Sequence, residues 1–385
     1  MRKELSTERI KRVVVRGANW VGDAVMTVPA LRELRRVLPG AHVTLATRVW
    51  AEGLFEGADF IDDILPLEGT RGKMRSAFGE ARTLGARRFD LAVLFPNAFA
   101  PALSAALARV PLRVGYETQG RGPLLTHRVG VPEWRGKRHE VFYYLNLVAE
   151  LERRLHGAST VEPREPRLEL NVPEARTREA SRLLREQVAQ TREQVAQERG
   201  PLVALCPGST NSRAKRWPAA RFAAVADMLT ESVGANVVLI GAGEESEVSE
   251  DVARLMRTRP SVLTGRTSLA ETAAVLKASD LLVTNDTGPA HVAAAVGCPV
   301  VVIFGPTNPV TTRPYSALAQ VVRRPPDCAP CMLRDCPIDH RCMTAVTVEE
   351  VFERCQHALE PRWRSRVARA GVSGGNELEG LEVSR

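Results

Sequence analysis

The amino-acid sequence predicts an α/β protein of two domains, each a parallel sheet wrapped by helices. Short apolar runs alternate with helical stretches in two successive series, the pattern of parallel sheets covered on both faces. A Pro-rich, charged stretch near residues 161–175, VEPREPRLELNVPEA, separates them and reads as a linker. The chain has 385 residues, and domains of roughly 100–200 residues make two the natural number.

In the first series RVVVR (12–16) is a buried strand, GANWVG a loop, and DAVMTVPALRELRRVL helical, with Pro29 kinking or restarting it. HVTLATR, IDDILPL and FDLAVLFP are the next strands, and the pattern runs to about residue 145. After the linker comes a direct repeat, REQVAQ-T-REQVAQ (185–197), whose period of seven puts Val188 and Val195 on one face of a short exposed helix. The second series is PLVALCPG (201–208), NVVLIGAG (236–243), SVLTG (261–265), DLLVTND (280–286) and PVVVIFG (299–305). Its strands end in Gly, Asn or Asp, where open α/β sheets place ligand loops. Residues 347–367 read as an Arg-rich helix and SGGNELEGLEVSR as a disordered tail. The expected division is 1–165, a linker and exposed repeat at 166–200, 201–348, a terminal helix at 349–367 and a tail at 368–385, with the ligand site between the domains.

Hydrophobic residues make up 44% and charged residues 25%, ordinary for a globular protein. No apolar run approaches the ~20 residues of a membrane-spanning helix. MRKELSTERIKRVVVRG lacks the apolar stretch and cleavage site of a secretory signal, so a cytoplasmic protein is expected. The 53 basic and 45 acidic residues leave a net charge of +8. This is either a solvated Arg-rich surface or a sign of a partner with phosphates or carboxylates, or of an anionic membrane surface. No helix-turn-helix, stacking motif or finger spacing accompanies it, which argues against nucleic acid.

Of seven cysteines, Cys206 and Cys298 sit in apolar contexts typical of buried thiols, and Cys355 stands alone. Cys328, Cys331, Cys336 and Cys342 cluster as CxxC-x4-C-x5-C. Four thiols this close can hold zinc, but most such sites separate two pairs by a longer loop. A free-thiol structural loop is the favoured reading, since a reducing cytoplasm disfavours disulfides.

Three loops of the second series carry chemistry. In PGSTNSRAKRWP, Gly208, Ser209 and Thr210 offer donors to phosphate oxygens, and Lys215 adds positive charge; otherwise this is an ordinary turn before a helix. GAGEESEV lacks the third glycine of a dinucleotide fingerprint. Glu244 or Glu245 can instead accept from ribose hydroxyls, or merely start an exposed helix. NDTGPAH places Asp286, Thr287, Gly288 and His291 between a strand and a helix. Unpaired N–H groups at the helix start favour an anion, Gly288 permits close approach, and His291 can donate to a phosphate oxygen. The bland alternative is an N-cap and a surface histidine. In the first series RGANWVGDAV puts Asp23 at a helix entrance, where the dipole is expected to keep it ionised. It is then either a general base or a cap.

RGANWVGDAVMTVPAL, PGSTNSRAKRWP, NDTGPAHVAAAVGCPVVVIFGPTNP and CAPCMLRDCPIDHRCM, in that order, resemble glycosyltransferase family nine, the ADP-heptose:lipopolysaccharide heptosyltransferases, over roughly residues 11–360. The Trp-Val-Gly-Asp form and the cysteine cluster look most like the members that add the second heptose onto the first. The resemblance implies a GT-B fold: two Rossmann-like domains with parallel sheets facing across a cleft, and a C-terminal helix returning to the N-terminal domain. It implies an inverting transfer from ADP-heptose to the lipopolysaccharide inner core without metal or cofactor. The family's catalytic aspartate falls on Asp23, its phosphate-binding lysine on Lys215, its Asp-Thr-Gly and histidine on Asp286, Thr287, Gly288 and His291, and its ribose-binding glutamate on Glu244 or Glu245. The implied acceptor is anionic and lipid-linked, with peripheral association at the inner membrane a further expectation. Arg113, Arg121 and Arg128, with Arg135, Lys137 and Arg138 just after, are forks suited to carboxylates and phosphates, or else solvated charges. No Asp-x-Asp pair in a strand-end loop offers a metal site. The rivals are another family-nine transferase, a nucleotide-sugar epimerase and a non-catalytic nucleotide-binding protein.

Overall fold

A computed structural model describes residues 6–68, 73–161, 164–191, 200–210 and 212–369. The first sheet contains β1 (Arg12–Arg16), β2 (His42–Arg48), β3 (Asp63–Leu67), β4 (Leu91–Leu94), β5 (Leu112–Tyr116) and β6 (His127–Val129). The second contains β7 (Leu202–Cys206), β8 (Asn236–Leu239), β9 (Ser261–Val262), β10 (Leu281–Asn285), β11 (Val300–Phe304) and β12 (Ala319–Arg323). Every ladder is parallel, so the expected pair of Rossmann-like sheets is borne out. The orders β3-β2-β1-β4-β5-β6 and β12-β11-β10-β7-β8-β9 are one topology read from opposite edges. The central strands are buried along nearly their whole length, as Val13–Val15 and Leu281–Asn285 show. Helices on both faces require this, and it explains why these strands read as unbroken apolar runs.

Helices cover the first sheet: α1 (Val21–Met26), α2 (Val28–Val37), α3 (Lys73–Gly85), α4 (Phe99–Leu107) and α5 (Glu140–His156). The chain restarts at Pro29 rather than kinking. Thr27 separates α1 from α2, and Pro29 lies in the first turn of α2, where its missing N–H costs nothing.

Residues 164–173 form no helix or strand but are not a free tether. Leu168 and Leu170 are buried, and Leu170 N donates to Ala295 O at 2.9 Å. The next helix, α6 (Glu174–Thr191), runs into the repeat expected to be exposed, and Arg185 and Glu186 at the start of that repeat are exposed. In the turns before it Ala180 and Leu184, one turn apart, are buried, and the helix packs on α9 (Leu269–Ala278) of the second lobe. The side chain of Val188, all of Val195 and the tail beyond Arg369 lie outside the described residues.

The second sheet also carries α7 (Ala219–Val233), α8 (Ser246–Leu255), α10 (Gly288–Ala295), α11 (Pro309–Thr312), α12 (Arg341–Thr344) and α13 (Val348–Arg369). The resemblance sent the last of these back to the first lobe. Its described side chains do otherwise: Val351, Cys355, Ala358 and Leu359 form one stripe, buried with Trp217 and Phe222 of the second core. The apolar stripe sets the docking, and it matches the face of β10–β12 that needs cover.

The lobes meet where α1 packs on α10. A Cβ on Gly288 would lie 2.6 Å from Val21 Cβ, and one on Gly22 2.9 Å from His291 Cδ2. Each helix start is a glycine because the other lobe's side chain fills the space. Gly288 was expected to make room for a ligand; what it admits here is Val21.

Candidate active site

In an open sheet of this order the loops after the two central strands diverge, and ligands bind in the crevice between them. Here the divergence points lie between β1 and β4 and between β7 and β10. The α1–α10 contact brings the two crevices together.

On the first lobe, a buried ion network holds the loop after β1. Arg16 pairs with Glu80 at 3.2 Å and donates to Asn19 Oδ1 at 3.1 Å, and Arg48 reaches the same Glu80 at 3.4 Å. This fixes the approach to α1 and Asp23. Tyr144 Oη donates to Asp23 Oδ1 at 3.3 Å. Burial pushes the Asp23 carboxyl above the ordinary range, opposed by the Tyr144 hydrogen bond and by the charges of Arg135 and Lys215. Desolvation thus works against the ionised form that the start of this six-residue helix was expected to favour.

The start of α5 completes this wall. The Arg135 guanidinium lies 3.6 Å over the Tyr143 ring and pairs with Glu140. Tyr143 Oη donates to Asn97 Oδ1 at 3.2 Å. His139 caps α5, accepting from Val141 N at 3.2 Å, and its Nε2 donates across the lobes to Arg313 O at 2.7 Å. Sequence reasoning missed His139, Glu140, Tyr143 and Tyr144. The signal was there in HEVFYY, an acid and two phenols at a helix start, but core packing accounts for the same letters.

On the second lobe, Asn285 knits the two central strand ends: it accepts from Trp217 N at 3.0 Å and donates to Pro207 O at 2.8 Å. Lys215 Nζ donates to Asp286 Oδ2 at 2.9 Å and Asp286 O at 3.2 Å, and Thr307 Oγ1 donates to Asp286 Oδ2 at 2.6 Å. Asp286 thus aims Lys215 rather than pointing free into the crevice. Thr287 is the N-cap residue of α10 by position, yet no side-chain cap bond forms, so the helix start keeps N–H groups for a ligand. His291 is buried against α1, its Nδ1 without a partner. Burial lowers its pKa to about 4, so at neutral pH it is an uncharged imidazole.

Glu245 and Glu244 separate clearly. Glu245 is buried over Gly208 and accepts from Ala242 N at 2.9 Å and Thr210 Oγ1 at 3.2 Å, whereas Glu244 is exposed. Ser209 is buried, and its carbonyl accepts from Arg216.

The acceptor arginines need correction. Arg121 is fully buried and donates to the carbonyls of Tyr116, Pro96 and Ala98. Arg113 donates to those of Leu124 and Val110. Both turn inward onto main-chain carbonyls after β4, at either end of β5 and in the loop after β5. Arg128 is exposed and paired with Glu117 at 3.0 Å. Of the basic residues in this region, Arg135 is the one whose charge acts on Asp23. Among the described residues no group of three or more His, Cys, Asp or Glu is placed to hold a metal.

The sequence profile of glycosyltransferase family 9 (heptosyltransferase) matches residues 78–341. The chain is 28% identical to lipopolysaccharide heptosyltransferase 2 of Escherichia coli K12 over 320 residues, covering 81% of this chain and 88% of that one. The solved structure of E. coli ADP-heptose lipopolysaccharide heptosyltransferase II superposes with a TM-score of 0.74 at 25% identity, covering 91% of this chain and 99% of that one. A family 9 glycosyltransferase from Veillonella parvula gives 0.76 at 25% identity, covering 94% and 99%.

Proposed function

Because the chain belongs to glycosyltransferase family 9, an enzyme family of GT-B fold, we propose that it transfers L-glycero-D-manno-heptose from ADP-heptose to the lipopolysaccharide inner core, adding the second heptose onto the first. One observation carries this reading. A partly buried carboxylate, Asp23 on α1, and the Lys215–Asp286 pair at the strand end before α10 come from opposite lobes that meet at the α1–α10 contact.

In the proposed reaction the second lobe holds the donor and the first lobe the acceptor. Asp23 takes the proton of the acceptor hydroxyl as that oxygen attacks the anomeric carbon. The bond from that carbon to the diphosphate breaks, and ADP leaves from the opposite face, so the configuration inverts. Tyr144 holds the carboxylate in place. Charge growing on the diphosphate is met by Lys215 and the uncapped N–H groups at Thr287 and Gly288, a preorganised electrostatic contribution. Neutral His291 offers one hydrogen bond beside them. Exposed Glu244 is the better candidate for the ribose, since Glu245 is already engaged by Ala242 and Thr210. No step assigned to these residues needs a metal, so EDTA is expected to leave the rate unchanged.

A lipid-linked acceptor places the enzyme against a membrane. No described helix is long and apolar enough to cross one, so contact is peripheral in this proposal. Trp20 in the loop after β1, Val49 and Trp50 in the 3-10 turn after β2, and Phe99 at the start of α4 are exposed, beyond the same strand ends as Asp23.

Acceptor-dependent release of ADP from ADP-heptose tests the assignment. Release only with a core acceptor carrying one heptose supports it. Release without acceptor supports an epimerase, release with an acceptor lacking heptose supports a different family member, and no release supports a binding protein.

A further inference from the structure

The segment after β12 takes no part in the chemistry above, yet it fastens to both loops that hold the Lys215–Asp286 pair. Ala214 N donates to Arg334 O at 2.9 Å. His340 Nε2 donates to Ala214 O at 2.5 Å. Ser212 Oγ donates to Arg334 O at 3.2 Å and lies 3.4 Å from Leu333 O. Both main-chain polar groups of Ala214, the buried residue before Lys215, are thus satisfied by this one segment. On the other flank Met332 N donates to Pro306 O at 2.8 Å, one residue before the threonine that binds Asp286.

The turn's own bonds are few: Lys215 N donates to Ser212 O at 3.3 Å and Arg216 N to Arg213 O at 3.0 Å. Arg213–Lys215 is a three-residue 3-10 turn without a side-chain cap. The Lys215 stem is flexible, so its ammonium is only as well aimed as the backbone beneath it. An unpaired buried carbonyl at Ala214 would cost free energy and invite the turn to open. The segment is itself held taut. Met332 (φ 57°) and His340 (φ 59°) take left-handed backbone, a conformation that persists in non-glycine residues only where the surroundings enforce it. His340 N donates to Cys336 Sγ at 3.3 Å, and Cys342 and Met343 are buried against Gly305.

We propose that residues 332–340 brace the Lys215 turn from behind, with His340 as a positioning residue that sets how well the site holds a nucleoside diphosphate. This rests on the reading that Lys215 contacts the donor diphosphate. His340 acts on the ligand only through Ala214 and Lys215. Its effect therefore falls on the diphosphate and spares the nucleoside.

Equilibrium binding of ADP and of adenosine to four variants tests the brace. His340→Ala is expected to weaken ADP roughly 10–100-fold, the scale of a misplaced binding group, while adenosine binds as to wild type. His340→Gln, whose amide can reach the Ala214 carbonyl, restores most of the loss. Ser212→Ala loses less, in the same direction, and keeps a variant in hand should His340→Ala fold poorly. The brace is overturned if ADP affinity survives His340→Ala, if His340→Gln loses as much as His340→Ala, or if adenosine weakens in step with ADP. Lys215→Ala separates the two layers. If it leaves ADP affinity intact, the diphosphate role of Lys215 fails. If it weakens ADP while His340→Ala does not, the brace alone fails.

Discussion

At the scale of the residue, the site turns on how burial sets the charge of two side chains. Asp23 must be ionised to accept a proton, and its surroundings make ionisation harder than for a free aspartate. Since the base works only above its pKa, the acid limb of kcat/KM should fall at a pH above the ordinary aspartate value. Tyr144 donates to the carboxylate and so favours the charged form. Tyr144→Phe should move that limb to still higher pH, and a limb that stays put or moves down would dissociate Tyr144 from the base. Asp23→Asn is expected to cost roughly 10²–10⁴-fold in kcat, the usual worth of a positioned base. Asp23 and the Asp286, Thr287, Gly288 and His291 group stood out in the sequence as candidates, whereas Tyr144 did not, because HEVFYY also reads as core packing. The inward turn of Arg113 and Arg121 was not legible. A guanidinium that satisfies buried carbonyls has the same letter as one that waits for a phosphate, and only the position of β5 decides between them.

At the scale of the element, the contact between α1 and α10 is a two-way fit. Val21 occupies the space of a Gly288 side chain, and His291 that of Gly22. Gly288→Ala should lower turnover by holding the lobes apart. Val21→Gly in the same chain should recover it, despite a helix cost of about 1 kcal/mol; no recovery would place the fault elsewhere. A second fastening lies at the far end of α5. Glu152 accepts from Ser159 Oγ at 2.7 Å and Thr160 N at 2.8 Å, and pairs with Arg36 at 2.9 Å. Its pKa is lowered from 4.5 to about 2 despite the opposing effect of burial, because these partners favour the carboxylate. A carboxylate depressed on folding stabilises above its unfolded pKa, and that stability is lost as pH falls from about 4.5 to about 2. Glu152→Gln should therefore cost about 1.5–3 kcal/mol at neutral pH, the worth of hydrogen bonds to a charged group. The gap in urea midpoint should close in acid, and a gap independent of pH would contradict the assignment. The buried central strands could be read directly, since burial on both faces writes an unbroken apolar run. Edge strands β6 and β12 could not: with one buried residue each, they carry the letters of loops.

At the scale of the molecule, one strand order used twice turns two sheet crevices toward each other, and in the proposed reaction the work divides between them. The second lobe supplies anion-binding groups, the first a carboxylate and aromatic walls. The alternation of strands and helices foretold the two parallel sheets, but not which lobe claims the connecting pieces. Both α6 and α13 pack on the second lobe, because their apolar stripes match its faces, and stripes alone do not name a partner. If the division holds, donor binding and catalysis should fail separately. The most direct measurement is a paired one on Asp23→Ala and Lys215→Ala, comparing ADP-heptose affinity with the rate of heptose transfer in a single turnover. Asp23→Ala should bind donor like the wild type and transfer almost nothing, while Lys215→Ala should lose affinity and rate together. Near-normal transfer by Asp23→Ala, or undiminished donor binding by Lys215→Ala, would contradict the account.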